Sequence, residues 1–333
     1  MAAGMKMKSK ADITSLFVAA MMLLPPALSC AADSVRNRPI RLIVAFAPGG
    51  GSDTSARIIA QHLAELVRQP VVVDNRPGAA GNIATEIATR AQPDGHTLLW
   101  GFSTPIAINP SLYKNLPFDT TRDLQPITLI ATSQYMLVVN PSVPANSVKE
   151  LIAVAKSKPG QFSYASAGVG TPHHLAAEML KKEAGLDIVQ VTYKGGGPAA
   201  QAVVSGEVQI HFGSFASSLP FVKAHRLKAL ALTGPQRSRE APDLPTMQEL
   251  GFSGYDVRSW FGVLAPAGTP NAIIAVFSRY LLEILAMPDV QQRLNRIELD
   301  VAEKNTPAEF AAYIKAEKVR WANVIRAAGI KLD

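Results

Sequence analysis

In four places this chain sets glycine and polar residues where a β-like run hands over to a helical pattern. The first is Pro48-Gly49-Gly50-Gly51-Ser52-Asp53. Glycine lets the backbone approach a ligand closely and adopt positive φ. Ser52 or Asp53 is the expected cap of the helix that follows. The first N–H groups of that helix lack intrahelical acceptors, and they face the space beyond the strand, which suits an anion. A tight turn capped by Asp53, with no ligand, would leave the same pattern. The second place is Ser166-Ala167-Gly168-Val169-Gly170-Thr171-Pro172-His173-His174, with Thr171 as N-cap, Pro172 as first helical residue and Ser166 as a second hydroxyl. Two such helix starts in different halves of the chain point to binding.

The third segment, Lys194-Gly195-Gly196-Gly197-Pro198-Ala199, follows a strand ending at Tyr193. Lys194 could meet an anion or sit solvated beside a turn. The fourth, Asn75-Arg76-Pro77-Gly78-Ala79-Ala80-Gly81-Asn82, ends on Asn82 as the cap of a helix from Ile83, and Arg76 is read as fixing the loop. His173 and His174 are neighbours and project to different sides of a helix, which argues against joint metal ligation; a structural role is the default for each. Candidate ligand contacts are Pro48, Gly49, Gly50, Ser52 and Asp53 from the first loop, and Asn82 and Ser103 nearby. Ser166, Gly168, Gly170, Thr171 and His174 come from the second loop, and Tyr193 and Lys194 from the third. No metal site, cofactor or catalytic residue is expected.

Enzyme signatures are missing. Pro48–Asp53 has no following Lys-Ser or Lys-Thr, so it is no phosphate loop, and Thr54 stands where a dinucleotide fingerprint needs its third glycine. Gly-x-Ser-x-Gly and His-Glu-x-x-His are absent. Ser111-Leu112-Tyr113-Lys114 matches Ser-x-x-Lys, but without Ser-Asp-Asn or Lys-Thr-Gly it is read as chance.

The elements that must carry these loops alternate. Ile40–Phe46 reads as a strand buried on both faces, Ser55–Val67 as an amphipathic helix, Val71–Val73 and Thr97–Gly101 as strands around a helix over Ile83–Ala91. Met136–Asn140, Phe162–Ser166, Ile188–Tyr193, Val208–Phe212, Leu227–Leu232 and Trp260–Leu264 are further strands. Ser147–Glu150 and Thr306–Glu309 are capping boxes, and Gly185 is a C-terminal cap. After Pro270 the pattern gives three helices with no clear strand between them, the last ending at Gly329. Repeated strand–helix–strand units imply parallel sheets covered by helices, an α/β fold. With 333 residues, two domains are expected rather than one.

Lys6, Lys8 and Lys10 precede the apolar stretch from Ile13 to Leu24, and Ser29-Cys30-Ala31-Ala32 follows: an export signal, taken as residues 1–32, too short to span a membrane. Cys30 is the only cysteine, so a disulfide framework is excluded; lipidation at Cys30 is the lesser alternative to cleavage after it. The formal charge of +7 is spread along the chain without a Lys/Arg run, which gives no reason to expect nucleic acid.

Taken together, Arg41-Leu42-Ile43-Val44, Pro48–Asp53, Asn75–Asn82, Asn109-Pro110-Ser111-Leu112-Tyr113, Ser166–Leu175, Tyr193–Ala199, Arg237-Ser238-Arg239 to Leu244-Pro245-Thr246 and Trp260–Pro270 resemble the substrate-binding receptors of tripartite tricarboxylate transporters, the Bug proteins. The resemblance runs from Arg38 to Gly329. It implies two Rossmann-like lobes joined by a two-strand hinge, a flytrap like the type II periplasmic binding proteins. It further implies pincer loops at Pro48–Asp53 and Ser166–Thr171 that hold a ligand carboxylate through N–H groups, hydroxyls and water. Family members often carry aspartates in the strand equivalent to Val208–Gly213, where Gln209 and Gly213 stand here, and Ala80 replaces a common glycine. The expectation is a monomeric periplasmic receptor that delivers a small carboxylate to the transporter's membrane components. Lobe one would be 33–135 plus 260–333 and lobe two 136–259, with crossings near Tyr135–Asn140 and Val257–Leu264. The competing reading is an exported α/β enzyme acting on a small carboxylate in the same cleft. A ligand-sensing intracellular regulator is disfavoured by the export signal.

Overall fold

The structure, a computed structural model, describes residues 38–302 and 305–328. The export segment with Cys30 and the expected helix stop at Gly329 lie outside the described residues. The first half-sheet is built on β1 (Ile40–Val44), flanked in parallel by β2 (Val71–Asn75) and β3 (Thr97–Phe102). β1 is almost wholly buried, as its apolar run requires. The crossovers are α1 (Gly51–Val67) and α2 (Asn82–Thr89); a π-turn, Thr104–Ile108, and the single turn α3 (Asn109–Leu112) follow β3.

β4 (Leu124–Val139) then runs unbroken for 16 residues and serves two half-sheets. Up to Gln134 it pairs antiparallel with β9 (Arg258–Pro266), and near Ala131–Ser133 with β10 (Leu299–Val301). From Tyr135 on it pairs with β7 (Ile210–Ser214) and β8 (Lys228–Leu232). The second half-sheet adds β5 (Phe162–Ser166) and β6 (Ile188–Thr192), parallel to β7. Its helices are α4 (Val148–Ser157), α5 (Pro172–Ala184), α6 (Gly196–Ser205) and α7 (Phe215–Lys223). The chain returns at Val257 to β9. Beyond it, α8 (Asn271–Ala286), α9 (Pro288–Asn295) and α10 (Pro307–Ala328) follow, with α8 and α10 packed on β4. Two α/β lobes therefore stand on either side of the crossing strands. No helix among the described residues is long and apolar enough to cross a membrane.

The crossings are tied to each other. Thr233 Oγ1 donates to the Val257 carbonyl at 2.6 Å and accepts from the Tyr135 N–H at 2.9 Å, so one hydroxyl joins β4 to both ends of the returning segment. The Thr233 N–H also donates to the Tyr135 carbonyl, and that of Val257 to the Thr233 carbonyl.

Three expectations need correction. The strand read as Met136–Asn140 is the end of a much longer one; Gln125, Pro126 and two register shifts between Pro126 and Ala131 interrupt the apolar pattern that would have announced it. A strand, β10, does separate the last helices. The strand read as Val208–Phe212 lies two residues later and feeds α7, a helix that Pro220 obscures in the sequence. The Thr306–Glu309 capping box closes both ways, Glu309 N–H on Thr306 Oγ1 at 3.2 Å and Thr306 N–H on the Glu309 carboxylate at 2.7 Å; at Ser147 the Glu150 N–H bonds Ser147 Oγ at 3.2 Å, but the Glu150 carboxylate accepts from the Asn146 N–H instead. Gly185 takes the left-handed cap with φ of 63°. On α10, Phe310, Ile314, Trp321 and Ile325 are core, and the Phe310 ring stands edge-on to Trp260 at 5.5 Å.

Gly262 in β9 is what lets α10 sit this close. A β-carbon there would lie 2.2 Å from Phe310 Cζ and 3.0 Å from the Thr128 carbonyl oxygen. Gly262→Ala should therefore cost about 1–3 kcal/mol of stability through overpacking. Urea unfolding should show a lowered midpoint with an unchanged m-value.

Candidate functional site

The carboxyl ends of the parallel strands in both lobes face one another, the place where open α/β sheets bind ligands. There the lobes are in contact. The Ala47 N–H donates to the Lys194 carbonyl at 2.9 Å. A β-carbon on Gly197 would lie 2.7 Å from the Pro48 carbonyl oxygen, and one on Gly50 3.5 Å from the Gly196 nitrogen. Farther along, the Gly168 position lies 3.3 Å from the Ala80 β-carbon, and that of Gly170 3.0 Å from Asn109 Oδ1. The Pro48–Asp53 and Lys194–Gly197 loops thus meet across the seam, as do Gly168–Thr171 and the Ala80–Leu112 region.

The first loop does not cap its helix as expected. Gly50 is the N-cap and Ser52 and Asp53 lie in the first turn of α1. The Gly51, Ser52 and Asp53 N–H groups have no intrahelical acceptor, since the first such bond runs from Thr54 to the Gly50 carbonyl. The Asp53 carboxylate turns back: it accepts from the Gly49 N–H at 3.1 Å, Arg57 Nε at 3.0 Å and Asn75 Nδ2 at 3.0 Å. Burial alone would raise its pKa, but the bonds from Arg57, Gly49 and Asn75 and the Arg57 charge outweigh burial and lower it. Asp53 is the strut of the loop. Pro48 and Gly49 are exposed at its tip.

Asn82 is likewise no cap. Gly81 holds that place, and Asn82 Oδ1 accepts from Asn109 Nδ2 at 2.6 Å. Ala79 and Ala80 both adopt left-handed φ, 46° and 51°, a strain of about 1–2 kcal/mol each that glycine would avoid. Arg76 pairs with Asp74 at 2.9 Å. In the second loop Thr171 stands at the N-cap, yet its hydroxyl makes no cap bond and instead donates to the Gly168 carbonyl at 2.6 Å. Ser166 Oγ accepts from the Gly168 N–H at 3.2 Å and from Gln190 Nε2 at 2.7 Å, which leaves its own proton uncommitted. His174 Nδ1 accepts from the Gly170 N–H at 3.2 Å. Gly168 has φ of 122°, which side chains rarely adopt, so glycine is needed there.

The third loop is divided. Its backbone meets the first loop, but the Lys194 side chain is exposed and the Tyr193 hydroxyl donates to Glu207 at 2.8 Å, on the outside. Gln209, singled out as a departure from the family, binds Ser163 at the entry of β7.

Beneath the loops lie Ser52 and Ser103, both expected from the sequence as ligand contacts, together with residues that the sequence did not single out. Ser52, Ser103 and Thr104 are buried and their hydroxyls have no partner among the described residues. Ser103 follows Phe102, whose ring lies 5.3 Å from Phe261, and Phe261 touches the Gly51 position. In the second lobe Ser214 caps α7 and bonds Ser217, and Ser214 Oγ lies 3.3 Å from the Gly51 β-carbon position. His173 stacks on His211 with centroids 5.2 Å apart and meets the edge of Tyr135. Its Nε2 lies 3.3 Å from the Gly196 β-carbon position. His174 and His211 are held down to about 4 and His173 well below its ordinary value, in each case first by burial. His211 and Ser214–Ser218 carry no spacing signal; only the strand end at Ser214 followed by a hydroxyl-rich turn could have marked them. A crevice of about 710 Å³ lies elsewhere, at the hinge between Gln134, Arg237 and Glu298.

Residues 55–330 match the profile of the tripartite tricarboxylate transporter family receptor. Protein BugT of Bordetella pertussis is 34% identical over 334 residues, 98% of this chain and 100% of BugT. Among solved structures, Rpa4515 of R. palustris with adipate is 32% identical, with a TM-score of 0.85, over 89% of this chain and 98% of that one. MatC from Rhodopseudomonas palustris with bound malate is 30% identical, with a TM-score of 0.83, over 87% and 99%.

Two outcomes follow from the geometry. Gly197→Ala puts a methyl group 2.7 Å from the Pro48 carbonyl oxygen across the seam, so it should weaken ligand binding by about tenfold or more and lower the melting temperature. Titration calorimetry and a thermal scan of the same variant check both halves. Second, three buried rings with depressed pKa values bind fewer protons folded than unfolded, so their contribution is full above pH 6.5 and is lost as pH falls toward about 4. The slope should approach roughly 1.4 kcal/mol per pH unit for each ring. Urea unfolding at about pH 7 and about pH 5 measures it, and a flat profile would mean that the rings are hydrated.

Proposed function

This chain belongs to the tripartite tricarboxylate transporter receptor family, and on that premise we propose that it captures a small carboxylate between its lobes and presents it to the membrane components of such a transporter. The observation that carries this reading is that the buried hydroxyls of Ser52, in the open first turn of α1, and of Ser103 and Thr104, just past the end of β3, have no partner among the described residues. A buried hydroxyl without a partner costs about 1–3 kcal/mol, and a carboxylate oxygen supplies the acceptor each lacks. The helix N–H groups add fixed positive dipole ends without a cation. Asp53 does not oppose this, because its own charge is spent on Arg57, Gly49 and Asn75. That the structures with adipate and malate are close relatives supports the ligand class.

Within that reading Gly49, Gly50, Ser52 and Ser103 contact the ligand from lobe one, and Ser166, Gly168 and Gly170 from lobe two. Thr171 and His174 shape the second loop, and Asn82 braces the first lobe through Asn109. The chain crosses between lobes near Tyr135–Asn140 and near Val257–Leu264, with lobe one as 33–135 plus 260–333 and lobe two as 136–259. The protein acts in the periplasm after removal of residues 1–32, as a monomer and without turnover of its ligand. Thermal shifts against mono- and dicarboxylates should pick out a few acids, with a gain of about 2.7 kcal/mol at a hundredfold excess over Kd. Ser52→Ala and Ser103→Ala should each weaken the selected acid by about 1–2 kcal/mol. Equal affinity for that acid and its methyl ester would sink the carboxylate assignment, and disappearance of the acid during incubation would sink the receptor assignment.

A further inference from the structure

Resting on the two-lobe division above, and independent of the ligand's identity, we propose that Glu298 is a proton-sensitive clasp between the lobes, a positioning residue that holds them together from the hinge side. Glu298 belongs to lobe one. It lies between α9 and β10; β10 pairs with β4 opposite Ala131–Ser133, and Arg293 on α9 donates to Gln61 on α1 at 3.1 Å. Ser238 belongs to lobe two. Its segment follows β8, bridges back to it through Leu232 and Thr246, and is tied to α7 by Lys223 and Glu240 at 3.6 Å. Across this division Ser238 Oγ donates to Glu298 Oε2 at 2.7 Å. Gln134 Nε2 donates to the other carboxylate oxygen at 3.3 Å, while Gln134 Oε1 accepts from the Gly234 N–H at 3.1 Å. The carboxylate thus gathers a residue of lobe two and the side chain of β4 at the point where that strand changes partners. Glu298 reaches them from a left-handed backbone, φ of 52°, which a residue with a β-carbon rarely adopts.

Both partners of this half-buried carboxylate are neutral donors, and no cation is among the influences on it. Arg237 and Arg258 line the same crevice of about 710 Å³ but are committed to Glu249 and Asp256, and Arg239 is exposed. Glu240 from lobe two and Asp300 from β10 face it with like charge. Burial first, and then these two charges, hold the carboxyl above its ordinary value of 4.5, against the bonds from Ser238 and Gln134. Ser238 and Glu240 come from lobe two, so parting the lobes uncovers the carboxylate and removes one of the two charges. The clasped form therefore binds the proton more readily than the parted one. Its advantage grows as pH falls through the raised pKa, is complete below 4.5 and is lost as pH climbs. A protonated Glu298 still serves both partners, one oxygen accepting from Gln134 and its O–H donating to Ser238 Oγ.

Small-angle scattering of the unliganded protein at about pH 8 and about pH 5.5 reads the clasp directly. The wild-type radius of gyration should be smaller at the lower pH. Glu298→Gln keeps an acceptor for Gln134 and a donor for Ser238 without the charge, so its radius should be small at both. Glu298→Ala leaves Ser238 Oγ and Gln134 Nε2 without their partner, and its radius should be large at both. Ser238→Ala removes the lobe-two end alone and should be large as well, which keeps the clasp testable if a Glu298 variant does not fold. Calorimetry with the acid giving the largest thermal shift supplies the second readout. Wild-type affinity should rise as pH falls, by at most about tenfold per pH unit for one proton, beyond any rise in Glu298→Gln. A radius that ignores pH, a pH response that survives Glu298→Gln, or Gln and Ala variants that shift together would overturn the proposal. Failure of every acid to bind would remove the carboxylate reading, and the scattering comparison alone would then decide the clasp.

Discussion

Backbone pairing along β4 is the constraint on which the molecule depends. A strand that belongs to two half-sheets must change partners without losing its ladder. It does so between Gln134, opposite Arg258, and Tyr135, opposite Ser214. The exchange leaves the Tyr135 N–H in need of an acceptor, and the Thr233 hydroxyl provides it while donating to Val257. Because buried main-chain groups must be paired, the two crossings cannot drift apart independently. The few residues of this joint are hydrogen-bonded to each other. Everything at the seam inherits its register from there.

At the seam, charge is arranged by spending it locally. Asp53 sits in the first turn of α1, where a free carboxylate would have competed with an anion for the same N–H groups. Its bonds to the Gly49 N–H, Arg57 and Asn75 turn it into part of the loop and leave the Gly51 and Ser52 N–H groups open. The second loop is braced in the same way, through Thr171 to the Gly168 carbonyl and His174 to the Gly170 N–H. Preformed loops lose little freedom when they meet a ligand, which is where rigid binding sites gain affinity.

The sequence announced the architecture through strands such as Ile40–Val44, whose continuous apolar run has one physical reading, and through the capping box at Thr306–Glu309, where two residue types fix a helix start. It announced the loops because glycine is hard to explain otherwise. It misassigned what the polar residues in those loops do. Ser52, Asp53, Asn82 and Thr171 are all good cap residues, and local propensity cannot tell that Gly50 and Gly81 take the caps of α1 and α2, or that Thr171, at the N-cap of α5, turns its hydroxyl to the Gly168 carbonyl. His211 and Ser214 were invisible for a different reason: their meaning comes from pairing with β5 and β4, residues 46 and 79 positions away along the chain in the cases of Ala165 and Tyr135. Of the third loop's two named side chains, that of Tyr193 turns to Glu207, a partner the sequence does not announce.

Where the lobes touch, they do so largely through main chain: Ala47 against Lys194, and Pro48 and Gly49 against Gly197. Main chain has no rotamers, so this contact has one shape whatever occupies the space behind it. A side chain behind this contact can be exchanged without altering the main chain through which the lobes meet.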